Sequence, residues 1–416
     1  MKTFKFPSSF QKPTFMNKYF LFPLVLIAML FASCQKDLTV NAPENAVAQD
    51  AQISEAKQKL IAFINENKLP PRFNPTAPSN NDSRGTTIES RSASEAASII
   101  PNNADFIFNR NVIKKAINPN DYECGPTILD AYINNSVQNW TNQDFVLYNY
   151  FGGIAFDAAY VYDNTSGGTY FGSTGQFTNV TNRIFRDLQR FWNIPSDIVL
   201  RDAHGNIYEN TSKVASILLL YGYNQNDANS IAGLLKIVFG SSRFEHYTHP
   251  LLTFNAFAAP PDPFFGTPKK IVMGDGIQDA YEDLGFGDVA PQGILAHEYG
   301  HHVQFALNVN FGNSPEATRR TELMADALST YYLTHKRGAA MNWRRLQDYF
   351  QVAYSIGDCA FNNNGHHGTP NQRMKASVFG YQVANDAQKQ GKILTGQAFI
   401  ALFDAALPGI VAPDAH

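Results

Sequence analysis

Cysteine is scarce: three in 416 residues, too few for a disulfide-dense scaffold or a cysteine-rich metal cluster. Charge is scarce too, at 17% of residues, and the formal net charge of −3 offers none of the basic surface that nucleic acid or an acidic partner needs. The apolar run from Tyr19 to Phe31 is too short to span a bilayer. No internal repeat is detected. What is present, 44% hydrophobic residues, is enough for one large domain or two modest ones.

The stretch richest in chemistry runs from Gly293 to Leu333. His297-Glu298-Tyr299-Gly300-His301 reads HExxH, which on a helix places two imidazoles one turn apart on one face. Both can reach one zinc ion, while Glu298, about 100° further round, lies beside the metal's open position. A zinc site of this kind takes a third protein ligand and leaves its fourth position to water. Glu322, 21 positions after His301 and on the next predicted helix, is the best candidate. Asp326 follows by four, so both carboxylates share a face; one can ligate metal while the other holds a ligand histidine by its free N–H. A lone HExxH arises by chance and His/Glu pairs often mark solvated faces, so it is the second carboxylate pair that makes this a zinc hydrolase pattern.

The N-terminus reads as a targeting segment. Lysines at 2, 5, 12 and 18 precede the apolar run, which ends in Phe31-Ala32-Ser33-Cys34. Small residues before a cysteine resemble the lipobox of bacterial lipoproteins. That resemblance implies a signal peptide over residues 1–33, acylation of Cys34, and an outer-membrane or cell-surface location through a lipid anchor. An ordinary secretory signal with an incidental cysteine is the alternative. Residues 34–104 are Ser-, Asn- and Pro-rich and read as a tether, interrupted by one amphipathic stretch with Ile53, Leu60, Ile61 and Ile64 at helical spacing. A removable pro-segment is a second reading of the same residues.

The folded part begins near Asp105. Residues 105–250 form an N-terminal portion of unassigned fold, and 251–416 the catalytic core. Residues 120–176 are aromatic-rich with Gly152-Gly153 and Gly167-Gly168 breaks. Beyond them the patterning predicts a helix over 182–192, a hairpin at 198–208 turning on His204-Gly205-Asn206, and a helix over 227–239 burying Ile231, Leu234, Leu235 and Val238. Two strands follow, 251–257 and 270–277. The active-site helix starts between Asp288 and Pro291 and runs to about Leu307. Ser314-Pro315-Glu316 opens the helix that carries Glu322 and Asp326 and ends at Lys336-Arg337-Gly338. A further helix over 342–356 turns Trp343, Leu346, Phe350 and Ala353 inward. Once Cys34 carries lipid, Cys124 and Cys359 are the remaining thiols of an exported chain. An even pair there is more often bridged than free, with two buried free thiols as the alternative.

With His297–Gln304 and Glu322-Leu323-Met324-Ala325-Asp326 in view, the chain resembles the neutral zinc metallopeptidases of bacteria, thermolysin-like gluzincins whose third ligand is a glutamate on the following helix. Ile356-Gly357-Asp358, His367-Gly368-Thr369, Gln372-Arg373 and Gly380-Tyr381 continue the likeness, which covers about residues 270–388. The resemblance implies an α+β, zincin-like core, mostly helical around the zinc site, with a small sheet. It implies zinc on His297, His301 and Glu322, with Glu298 as the base. In that family the Glu-x-x-Ala-Asp is usually followed by cysteine; Ala327 stands there, so any disulfide at that point is absent. Zincins keep an edge strand just before the HExxH helix, where Ile271-Val272-Met273-Gly274 falls; an interior strand is the other reading. His367 is the first choice for a donor to the oxyanion, with His366 and Tyr381 as rivals, and an exposed loop histidine as the plain alternative. His302 points away from the ligand face and reads as supporting structure. The expectation is an endopeptidase acting on peptide or protein substrates. The competing readings are a zinc-binding but inactive surface lipoprotein, and an interaction protein in which residues 105–250 bind the partner.

Overall fold

The computed structural model describes residues 44–66, 124–162, 169–312, 314–359 and 366–414. The expected signal peptide, Cys34, Asp105 and most of the expected tether lie outside them. The chain divides into two units, Met1–Val47 and Ala48–His416, and all but the first four of the described residues belong to the second. Among the described residues the architecture is α+β and mostly helical, with one three-stranded sheet. The residues before and after 250 share one hydrophobic core.

Helix α1 (Glu44–Asn65) is the amphipathic stretch expected inside the tether, and it is docked rather than free. Ala56 and Leu60 are buried in the core, and Lys57 Nζ lies 2.5 Å from the fully buried Asp144. The aromatic-rich region with no expected fold is three helices: α2 (Ile128–Ser136), α3 (Asn142–Phe151) and α4 (Ile154–Val161). Thr127 and Thr141 each start a helix through a capping box, with Asp130 and Asp144 at the third helical position. The Gly152-Gly153 break separates α3 from α4.

Helix α5 (Thr178–Phe191) buries Ile184, Leu188 and Phe191, as its spacing requires. Strand β1 (Val199–Ala203) follows, but the expected hairpin does not form: Gly205–Glu209 is a 3-10 turn, with the Tyr208 hydroxyl donating to the Phe151 carbonyl. The partner of β1 lies some seventy residues on, in β3 (Lys270–Gly274), to which it is parallel, Val199 opposite Lys270. Helices α6 (Thr211–Leu220) and α7 (Gln225–Phe239) pair with each other; Ile231, Leu235 and Val238 are buried and Leu234 half-buried. The strand expected over 251–257 starts late, because His249 and Pro250 open a 3-10 turn at Pro250–Thr253, leaving β2 as Ala256–Ala259.

The strand order is β1-β3-β2, with β2 antiparallel to β3. This overturns the edge-strand reading of residues 271–274: β3 is central, paired on both sides and buried along its whole length. Its two faces serve different layers. Val272 packs with Ala155, Phe156 and Ala159 of α4, while Ile271 and Met273 join the main core. Lys270, fully buried, donates through Nζ to the Tyr160 carbonyl at 2.6 Å, setting a cation at the C-terminal end of α4, where the helix dipole is negative.

The remaining helices form the layer that carries the site: α8 (Asp275–Asp283), α9 (Ala290–Ala306), α10 (Pro315–Thr334), α11 (Trp343–Ile356), α12 (Pro370–Lys389) and α13 (Gly396–Ile410). Helix α9 packs on α10, α5 and β2, and α10 packs on α12. Helix α10 ends at Thr334, earlier than the basic residues led one to expect. In α11, Leu346, Phe350 and Ala353 are buried, but Trp343 is 48% exposed, correcting its inward placement: as the first residue of the helix it lies against Tyr381 at the surface. Cys124 and Cys359 are bridged, with Cα atoms 6.1 Å apart, which joins the N-terminal portion to the end of α11.

Candidate metal centre

Helix α9 is buried nearly all round, with Ala290–Gln304 out of solvent. Its apolar residues anchor it between α5, α10 and the sheet, and this fixes where His297 and His301 point. Ser314 caps α10 through its hydroxyl, which accepts from the Ala317 amide, and Pro315 takes the first helical position, as the sequence predicts. The pairing of α9 with α10 then brings Glu322 to the two histidines. His297 Nε2 is 3.2 Å from His301 Nε2 and 3.2 Å from Glu322 Oε2; His301 Nε2 is 3.4 Å from Glu322 Oε1.

The supporting bonds decide what these atoms can do. His297 Nδ1 is 2.9 Å from Asp326 Oδ1, and His301 Nδ1 is 3.0 Å from Gln304 Oε1. Both acceptors hold the ring proton on Nδ1, so both Nε2 lone pairs face each other and a carboxylate oxygen. Three electron-rich side chains converging at 3.2–3.4 Å fit a cation between them. Zinc–nitrogen and zinc–oxygen bonds of about 2.0–2.2 Å at tetrahedral angles put ligand atoms about 3.3 Å apart. Among the described residues, His297, His301 and Glu322 are the group able to hold a metal ion.

The electrostatics agree. Burial raises Glu322, but His301, the hydrogen bond to His297, and His367 together hold it well below the usual carboxylate range. Burial pushes His297 down, and Asp326 and Glu322 more than offset this, raising it to about 10. A metal ion on Nε2 therefore competes with a proton. Glu298, buried on the same helix, has its carboxyl raised by burial against the pull of His297 and His301. A carboxylate lifted toward neutrality is suited to taking up and returning a proton.

Asp326 is itself gripped. Arg373 on α12 donates from Nε to Oδ2 and from Nη2 to Oδ1, both at 2.7 Å, a buried two-point pair. Gln304, besides holding His301, donates to the Thr321 carbonyl of α10 at 2.7 Å. Sequence reasoning gave neither residue a role. Gln304 was open to it, since it follows His301 by three on the same helix; Arg373, though part of the Gln372-Arg373 pair in the likeness, lies 47 positions from Asp326, and nothing local pairs the two.

His367 comes to the site. Its Nδ1 and its amide both meet Asp358 Oδ2 at 2.9 Å, and it is near enough to Glu322 for each to shift the other's titration. Burial lowers His367, and Asp358 and Glu322 outweigh that and raise it. Of its rivals, His366 is fully buried with Nδ1 on Asp358 Oδ1, and Tyr381 packs on Trp343 and Phe350. His302 bonds the Lys270 carbonyl of β3 at 2.8 Å, tying α9 to the sheet, which is the supporting part expected of it. Gly365 and its neighbouring asparagines lie outside the described residues.

No family model, no curated protein and no solved structure matches this chain.

Proposed function

We propose that the protein is a zinc-dependent endopeptidase of the gluzincin type, with His297, His301 and Glu322 holding the ion and Glu298 as general base. The observation that carries this reading is the convergence of two Nε2 lone pairs and one carboxylate on a single point, beside a buried carboxyl that makes no part of the ligand set. A zinc ion seated there lowers the pKa of a water from 15.7 toward about 7 and polarises a substrate carbonyl.

The chain's own residues supply the rest. Glu298 accepts the proton of the attacking water and delivers it to the leaving amine. Asp326, clamped by Arg373, keeps the proton of His297 on Nδ1, and Gln304 does the same for His301. His367, held by Asp358, with its pKa raised by its carboxylate neighbours, donates to the developing oxyanion. Strand β2 is an edge of the sheet and the strand against which α9 chiefly packs, so an extended peptide substrate pairs there rather than at β3. With the lipid anchor expected at Cys34, the substrates are peptides or proteins met at the outer membrane or cell surface.

The test is casein hydrolysis by the chain as isolated, after chelation, and after readdition of single divalent metals. Activity lost on chelation and restored by zinc supports the proposal. A chain that binds zinc stoichiometrically yet cleaves nothing is the inactive binding lipoprotein instead.

A further inference from the structure

The loop carrying His367 is anchored by a short strap from the far side of the sequence. Cys124 is bonded to Cys359, and three residues later the Thr127 hydroxyl donates to the Ser355 carbonyl at 3.0 Å. Residues 124–127 thus cross the C-terminal end of α11 at two points, and the covalent one adjoins Asp358. Asp358 is the hub of the loop. Its carboxylate receives His366 Nδ1 at 2.5 Å and the amide and Nδ1 of His367 at 2.9 Å, and its own amide donates to the Gly368 carbonyl at 2.8 Å. The described ends of the loop are closely packed: Gly368 holds a φ of +105° against Leu323, and a Cβ at Gly357 would run into the Pro370 backbone at 2.3 Å.

We propose that the Cys124–Cys359 bridge is a positioning element of the metal centre. By fixing the chain at Cys359, it holds Asp358 where its carboxylate aims His367 at the Glu322 side of the site. The plain account of a bridge closing so long a loop, with the two residues 235 apart, is stability through the unfolded chain alone. Position argues for more. The bond is made next to the residue that orients His367, at the end of a helix, and on the opposite side of the molecule's sequence from everything else holding that loop. A donor displaced by about 1 Å costs up to a hundredfold in rate.

The inference rests on the proposed role of His367 for its effect on turnover, but not for its effect on geometry, and the experiment separates the two. Cys124→Ser/Cys359→Ser is made in the full chain, alone and combined with His367→Ala. Metal content, kcat, KM and amide hydrogen exchange over residues 366–368 are measured for each. The expected result is undiminished metal, faster exchange of the His367 amide with α10 amides unaffected, and kcat lower by about ten- to a hundredfold at unchanged KM. In the His367→Ala background, removing the bridge should lower kcat no further. Unchanged exchange at 366–368, metal lost with the bridge, or losses that multiply with His367→Ala would each overturn the proposal. If the wild-type chain cleaves no peptide, the peptidase reading fails while the exchange data still decide whether the bridge positions His367. Should the double variant not fold, the bridge is opened in the folded wild type with a phosphine, the thiols are alkylated, and the same readings are taken.

Discussion

His249 shows how a single buried side chain adds to the acid sensitivity of this fold. It is 1% exposed, packed at a tilt against Trp140, with Nε2 donating to the Ser136 carbonyl at 3.1 Å and Nδ1 accepting from the Leu251 amide at 3.3 Å. A second proton would have to sit on Nδ1, against an N–H already pointing at it. Burial, against the lesser help of the Ser136 carbonyl, lowers its pKa to about 4. Its folded pKa is therefore below its unfolded value near 6.5. Stability is full above that value and is lost as pH falls from 6.5 through about 4. The loss amounts to about 3 kcal/mol. Urea unfolding at pH 7 and pH 4.5 should show this drop in the wild type and a smaller one in His249→Gln. Arg373 is the second residue with a definite expectation. Arg373→Met strips the buried carboxylate of Asp326 of its two-point ion pair and leaves it only the His297 N–H, a cost of up to about 3–5 kcal/mol. Thermal unfolding and metal content should both fall; a variant as stable as wild type would mean Asp326 finds another partner.

At the scale of elements, the helices were the legible part and the sheet was not. His297, His301, Glu322 and Asp326 could be placed because periodicity within a helix is local, and the Ser314-Pro315 start put α10 in register with them. The central position of β3 was hidden because its parallel partner β1 lies some seventy residues upstream, and nothing in residues 270–274 themselves tells an edge strand from an interior one. The failed hairpin at 198–208 has the same cause: β1 pairs at long range, so local turn residues did not decide its partner. Residues 124–162 hid three helices, two of them opened by readable capping boxes, Thr127/Asp130 and Thr141/Asp144, while aromatic residues such as Phe145, Tyr148, Tyr150 and Phe151 blurred the buried face of the second. Arg373 meets Asp326 only because α12 lies against α10, and that contact depends on Gly380. A Cβ there would sit 2.2 Å from the Ala327 carbonyl oxygen, a backbone atom that cannot step aside. Gly380→Ala should therefore push the helices apart, cost about 1–3 kcal/mol, and lower metal content along with the melting temperature. Unaltered zinc binding in that variant would show that the α10–α12 spacing does not set the site.

In the whole molecule, three parts far apart in sequence come together: an early segment bridged through Cys124, a sheet whose central strand is tied to α9 by His302, and a helical layer whose His297, His301 and Glu322 could hold one metal ion. The peptidase reading gives each of these a task. Its most direct test is Glu298→Gln, which keeps the shape of the side chain and removes its capacity to carry the proton. Wild type and variant are loaded with zinc, their metal content is measured by elemental analysis, and peptide hydrolysis is followed in the same samples. One zinc per chain is expected in both, with hydrolysis in the wild type and a loss of at least about a hundredfold in the variant. Equal hydrolysis by the two proteins at equal zinc content would contradict the peptidase reading.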